Sequence, residues 1–229
     1  ITTKDIPTKN SLTIGLGLGF NTQSAFKSFI SNQRGQNDWL GFDDKRNLPA
    51  SYPQKYGAFN ALNQQQKLAV ATSFRDDVWA EQNSQAGPIQ SLNLTWANAV
   101  KSKKGGAFGS ILGITYRNSK LIYSASKTFL ENGGRDVTFD YTDKQNKYSS
   151  NLGAIANFAW SKKKHKIAFK NLFNQLYEDN YYQRTGINEN PSYVQLRSSV
   201  VNQRTLLSSQ IEGTHTFWSK LKFLWNVNY

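Results

Sequence analysis

Residues 11–20 read Ser-Leu-Thr-Ile-Gly-Leu-Gly-Leu-Gly-Phe and alternate without a fault. The even positions, Leu12, Ile14, Leu16, Leu18 and Phe20, are large and apolar, while the odd positions, Ser11, Thr13, Gly15, Gly17 and Gly19, are small. A period of two sends these sets to opposite faces of one β-strand. A half-buried soluble strand carries charged or long polar groups on its wet face. Here the second face is nearly bare backbone and the first is greasy enough for lipid. That combination is the pattern of a barrel wall against which something packs closely from within.

No apolar run approaches the ~18 residues of a membrane helix, so the chain is either soluble or crosses a membrane as strands. A mean hydropathy of −0.61 and 38% hydrophobic residues suit a barrel whose strands turn half their residues to a wet lumen. The 14% of aromatic residues suits interfacial girdles. With no cysteine there is no disulfide, thiol catalysis or cysteine metal site. Methionine is also missing, even at position 1, so the natural start is expected to lie upstream and no signal peptide is visible. The net charge of +13 raises the question of nucleic acid. The lysines, however, cluster at 101, 103 and 104, at 162–164 and 166, and at 220 and 222, each group beside a tight turn. They read as basic strand ends facing water and anionic headgroups.

After residue 20, strand character continues weakly through Phe26, Phe29 and Ile30. A non-strand region of about 34–88 follows, within which Leu62, Leu68, Val70, Phe74 and Val78 predict a short helix over 62–79. Alternation returns at 90–100, where Leu92, Leu94 and Trp96 join the greasy set. Further strand segments are expected at 107–129, 148–160, 166–177, 196–218 and 221–229. A lysine-glycine turn, a polar stretch at 131–147, a lysine turn, a loop near Gly186 and Pro191, and a turn at Ser219-Lys220 separate them. Connections that alternate long and short predict an up-and-down antiparallel meander, with tight turns on one rim and large loops on the other. Several segments exceed the ~9–11 residues of a crossing, so they are expected to extend outside the bilayer as a collar. Trp96, Trp160, Trp218 and Trp225 fall near the short-turn rim, where an aromatic girdle belongs. The count is about seven strands, with one more able to hide in 27–88. A closed barrel takes an even number, so the expected fold is an all-β, partial transmembrane barrel, or an eight-stranded barrel ending at Tyr229.

Catalysis has little to stand on. His165 lies in a lysine turn and His215 on a strand with no second histidine at ligand spacing. No phosphate loop, zinc spacing or nucleophile elbow is present. Asp38, Asp43 and Asp44 are close enough for Ca²⁺ or for acid–base work. Their neighbours Trp39, Phe42 and Leu48 fit better a compact structural loop folded over a barrel mouth. Arg117, Lys166 and Lys170 on the small-residue face read as partners of carboxylates or guides for anions. No enzyme activity, cofactor or metal is expected.

The opening Ile-Thr-Thr-Lys-Asp-Ile-Pro (1–7) resembles the plug–barrel junction of TonB-dependent outer-membrane receptors. Phe-Asn-Thr-Gln-Ser-Ala-Phe-Lys (20–27), Asp-Trp-Leu-Gly-Phe-Asp-Asp (38–44) with Arg46 and Leu48-Pro49, and Gln210-x-x-Gly213-x-His215 are similar to the Bacteroidota-type branch of that family. The resemblance spans most of the chain on short motifs, of which 38–44 is the most specific. It implies that 1–7 ends a plug domain and that 8–229 forms about the first third of a 22-stranded barrel, with 34–88 an extracellular loop. It implies active uptake of an iron chelate, cobalamin, glycan or peptide across the Gram-negative outer membrane. The implied partners are outer-membrane lipid, the plug, the TonB complex and a possible surface lipoprotein, without nucleic acid. Gly15, Gly17 and Gly19 then face the plug, and Asp38, Trp39, Asp43, Asp44 and Arg46 serve ligand contact or loop structure. Two readings compete: a small barrel of structural or adhesive role, and a soluble basic β-protein that binds polyanions.

Overall fold

The alternating segments become strands. The computed structural model describes residues 7, 9–103, 105–190, 192–218 and 221–229. Among these, nine strands form in chain order: β1 (Ser11–Gly19), β2 (Ser28–Asn32), β3 (Glu81–Gln85), β4 (Ile89–Lys101), β5 (Gly106–Glu131), β6 (Asp136–Lys162), β7 (His165–Ile187), β8 (Tyr193–Phe217) and β9 (Leu221–Asn228). Seven of them make one antiparallel sheet in the order β1-β4-β5-β6-β7-β8-β9, while β2 and β3 pair separately. The large sheet is open, with β1 and β9 at its edges. Among the described residues no helix is long and apolar enough to cross a membrane. The expected junction at residues 1–7 lies, apart from Pro7, outside the described residues, as do Lys104, Ser219 and Lys220.

The pairing keeps one register across the sheet, with a single shift at Phe129/Leu130. Alternation therefore adds up from strand to strand. Leu12 sits opposite Trp96, Ile14 opposite Leu94 and Leu16 opposite Leu92. Leu112, Ile114 and Tyr116 continue that face on β5. The opposite face carries Gly15 beside Asn93 and Thr115, and Gly17 beside Ser91.

The expected lengths of the connections are corrected. The polar stretch 131–147 is not a loop: β5 and β6 pair to their ends around a turn at 132–135. The loop near Gly186 is likewise short, because β7 runs to Ile187 and β8 starts at Tyr193. Strands of 23–27 residues take up what read as long loops. Where both faces of a strand are wet, alternation disappears from the sequence while the ladder persists. Here polar pairs join neighbouring strands: Asp143 lies between Lys127 and Arg184 at 3.0 and 2.6 Å.

The one long connection, residues 20–88, is also more structured than expected. It holds two short strands rather than one, and its helix α1 spans only Gln64–Thr72. Asn63 and Gln66 close a capping box at its start. Of the five residues predicted to line one face of that helix, Val70 and Val78 are buried, and Leu68 is exposed. Val78 belongs to a separate 3₁₀ turn at Asp77–Trp79.

Candidate functional site

Two features stand out on the sheet, and both lie on the same face. The first is a band of exposed apolar side chains. Leu12, Ile14, Leu16 (81% exposed) and Leu18 on β1 continue into Leu92, Leu94 and Trp96 on β4. Phe108, Leu112 and Ile114 follow on β5, Phe158 and Trp160 on β6, Ile167 and Phe169 on β7, Leu207 and Ile211 on β8, and Val227 on β9. Phe20 lies just past the end of β1 and is exposed, its ring 6.1 Å from that of Phe26. The few polar groups inside the band are bonded to one another. Asn171 donates to the Ala156 carbonyl at 3.0 Å and accepts from Ser209 at 2.7 Å.

The band slips against the pairing register. Leu16, at its centre on β1, lies in line with Leu92, Tyr116, Leu152, Gln175 and Thr205. On β8 the apolar run instead centres between Leu207 and Ile211, a slip of about four residues over five strand steps. At ~3.3 Å per residue and ~4.8 Å between strands, the strands incline by about 30° to the normal of the band.

The second feature begins where the band stops. Further along the same face the residues turn polar, with Asn118, Ser150, Gln175, Tyr177, Asp179 and Gln203, and the segment 21–86 lies on them. Phe29 and Ala86 from the segment pack with Ile122, Tyr148 and Tyr177 from the sheet into a small buried core. Asn32 donates to Asp179 at 2.9 Å and to Ser199. Lys120 reaches Ser84 and the Gln85 carbonyl, both at 3.0 Å. Burial lowers the Lys120 ammonium to about 8, and nearby Arg34 acts in the same direction.

The stretch Asp-Trp-Leu-Gly-Phe-Asp-Asp forms the clip. It crosses four strands: the Trp39 carbonyl accepts from Tyr116 on β5 and Ser150 on β6, the Gly41 carbonyl from Gln175 on β7, and the Asp43 N–H donates to Gln203 on β8. Gly41 has φ of 95°, and a Cβ there would press on Gln175 Cγ at 2.9 Å, so only glycine fits this step. Asp44 accepts from the N–H groups of Gln36 and Asn37 and so ties off the turn. Asp38, 1% exposed, accepts from the Gly35 N–H at 2.9 Å and from the Tyr177 hydroxyl at 3.0 Å. Arg46 holds the knot together. Its guanidinium donates to Asp43 (3.2 Å), Tyr177 (3.1 Å) and the Gln33 carbonyl (2.7 Å), and stands 3.7 Å from Asp38.

Carboxylate oxygens of Asp38, Asp43 and Asp44 lie within 4.8 Å of one another, a spacing that suits a hard cation. Arg46 already neutralises the first two, and Asp44 is engaged by backbone N–H groups, so these side chains act as a structural clip. The segment lies on the band's side of the sheet. The expectation of a loop folded over a barrel mouth is corrected accordingly: its hydrogen-bonding partners, Tyr116, Gln175 and Gln203, point to the band's face.

Burial raises Asp38 and pushes Asp179 up to about 6, with Arg46 and Asn32 pulling Asp179 the other way. Asp179 Oδ2 is buried without a hydrogen-bond partner, which suits a protonated acid better than a carboxylate. The docked state therefore binds more protons than the released state between the ordinary carboxylate pKa of ~3.9 and the shifted value. Docking is expected to strengthen as pH falls from about 6 towards about 4, and to be weakest above that window. Asp179→Asn should flatten this dependence, read as the urea midpoint for release of the segment across the same range. A wild-type midpoint that does not rise on acidification would refute the assignment.

At the other rim a histidine pair corrects a further expectation. His165 and His215 face each other across β7 and β8, with Nδ1 atoms 3.1 Å apart. The Trp225 indole donates to His215 Nε2 at 3.0 Å. An indole N–H is a donor only, so a neutral His215 carries its proton on Nδ1 and offers it to His165. Gly213 makes this possible, because the indole ring lies over it where a Cβ would collide. The pair joins three strands below the band and is a structural contact. Of the lysines expected to find carboxylates, Lys170 pairs with Glu212 at 2.7 Å on the small-residue face.

The sequence reasoning missed Tyr148, Gln175, Tyr177 and Asp179, the platform on which the segment rests. Their signal was present as a strand face that keeps its period of two while its chemistry changes from Phe169 and Phe173 to Gln175, Tyr177 and Asp179. In comparisons with known proteins, no family model, no curated protein and no solved structure matches the chain.

Proposed function

We propose that this chain is wall of an outer-membrane β-barrel belonging to a TonB-dependent transporter, which takes up a large or scarce solute at the expense of the inner-membrane proton gradient. The observation that carries the membrane part is the exposed apolar band, continuous over seven paired strands and backed by a face mostly of glycine, alanine, serine, threonine and asparagine, with Leu172, Leu206 and Leu224 as exposed exceptions. An inclination of about 30° is close to the ~35–45° of strands in transmembrane barrels. Strands that outrun the band stand as a collar on one side, and tight turns close the other side. The transport part rests on the resemblance at 1–7, 20–27 and 38–44. Gly15, Gly17 and Gly19 are the side on which a plug would lie, and outer-membrane lipid covers the other.

Topology gives the first test. An epitope inserted at Asn60 should be reached by antibody on intact cells, and one at Ser102 only after the outer membrane is permeabilised. The reverse pattern would invert the wall, and labelling of both on intact cells would remove it. Stable, monodisperse protein in plain buffer would favour the soluble polyanion-binding reading. Transport is read by offering cells iron chelates, cobalamin, glycans and peptides. Accumulation that stops when an uncoupler collapses the gradient supports TonB-driven uptake, and accumulation indifferent to the uncoupler points to a passive pore.

A further inference from the structure

We infer that the turn at 37–42 is the wall's anchor in the outer leaflet, with Trp39 and Phe42 seated at the boundary between lipid headgroups and acyl chains. This rests on the membrane reading above and assigns a lipid contact to a stretch that otherwise reads as loop.

The band itself is short. From Phe108, paired with Trp160 at one rim, to Tyr116 at the other, β5 takes eight residue steps, or about 27 Å of strand at ~3.4 Å each. Tilted by about 30°, that is roughly 24 Å of height, a little under the ~25 Å apolar belt of a transmembrane barrel. The lower rim carries its own aromatics, Trp160, Phe217 and Trp225. At the upper rim the strands offer Tyr116 and the half-buried Phe173, after which the same face becomes Asn118, Ser150 and Gln175.

The turn adds two exposed aromatics to these. Its carbonyl at Trp39 is pinned by Tyr116 and Ser150, which fixes the indole at the last apolar level of the band. The ring meets Tyr116 edge-on, with centroids 6.1 Å apart, yet Trp39 remains 52% exposed. Phe42, the residue directly after Gly41 and its clamp to Gln175, is 39% exposed. Both are held rigidly, since Asp38 and Gly41 on either side of Trp39 are buried against Tyr177 and Gln175. A large aromatic held half out of a protein beside an apolar band, with polar groups directly above, matches the place where tryptophan is enriched in membrane proteins. Headgroup and acyl chain are the occupants whose chemistry changes at that height.

The chain has no cysteine, so single cysteines can carry an environment-sensitive fluorophore. Trp39→Cys, Phe42→Cys, Leu94→Cys and Tyr56→Cys would be labelled in the membrane-extracted protein. They would then be reconstituted in phosphatidylcholine vesicles spin-labelled at the headgroup, near the carbonyl end of the chain, or at mid-chain. The labels at 39 and 42 should lose most of their fluorescence to the two shallow quenchers, the label at 94 to the mid-chain quencher, and the label at Tyr56, on the segment's outer surface, to none. If 94 is quenched while 39 and 42 behave like 56, the anchor is wrong and the wall stands. If 94 is not quenched either, the membrane reading fails with it. Phe42→Cys keeps the test alive should Trp39→Cys fail to assemble.

Discussion

Arginine in place of Leu16 is expected to destabilise the membrane-inserted wall by about 2–4 kcal/mol. Leu16 lies at the centre of the band on β1 and is 81% exposed, so in a bilayer its side chain faces hydrocarbon and a guanidinium there must be dragged to the interface. Serine at Gly15, one residue away, should cost far less. It points to the opposite face, and a Cβ there meets Asn93 Cβ at 3.6 Å and the Asn93 carbonyl oxygen at 3.9 Å, both ordinary contacts. Gly17 is a poorer control, because a Cβ at that position would collide with the Ser91 hydroxyl that bonds the Gly17 carbonyl. Urea midpoints of vesicle-reconstituted protein give the comparison. Equal tolerance at 15 and 16 would count against any lipid-facing wall, and a Gly15→Ser variant worse than Leu16→Arg would reverse the two faces.

Removing the Arg46 guanidinium is the second large effect. Arg46→Met keeps most of the stem but leaves the Asp38 and Asp43 carboxylates and the Tyr177 hydroxyl facing one another in a buried site. Breaking a buried ion pair from one side costs roughly 3–5 kcal/mol. That loss should fall on docking rather than on the sheet, whose ladder does not involve Arg46. Amide exchange should show residues 21–86 losing protection while β5 to β8 keep theirs. Arg46→Lys should fall between, since a single ammonium cannot reach Asp43, Tyr177 and the Gln33 carbonyl together. Protection unchanged in Arg46→Met would mean that the segment is held by the Phe29 core alone.

What could be read from the sequence depended on whether a segment had two different environments on its two faces. Residues 11–20 and 90–100 did, and there the period of two located the strands, their faces and the apolar band. Residues 136–147 have water on one side and polar neighbours on the other. Nothing alternates in Asp-Tyr-Thr-Asp-Lys-Gln, and a strand looked like a loop. The clip was half legible. Asp38, Trp39, Asp43, Asp44 and Arg46 were singled out together and they do act together. Their platform, however, is spread over β5, β6, β7 and β8, and no local pattern announces a contact between Asp38 and Tyr177. The histidines show the same limit: His165 and His215 are remote in the chain and adjacent only through the register of β7 and β8.

The placement of the clipped segment also sets an order of assembly. It is inserted between β1 and β4, which are neighbours in the sheet, yet its partners come from strands made much later. Asn32 bonds to Asp179 and Ser199, at separations of 147 and 167 residues. Contacts so distant along the chain form late, because every intervening stretch must be ordered first. Residues 21–86 can therefore gain their full set of partners only once β8 has joined β7. A segment that precedes most of its partners along the chain is thus the last to find its full seat.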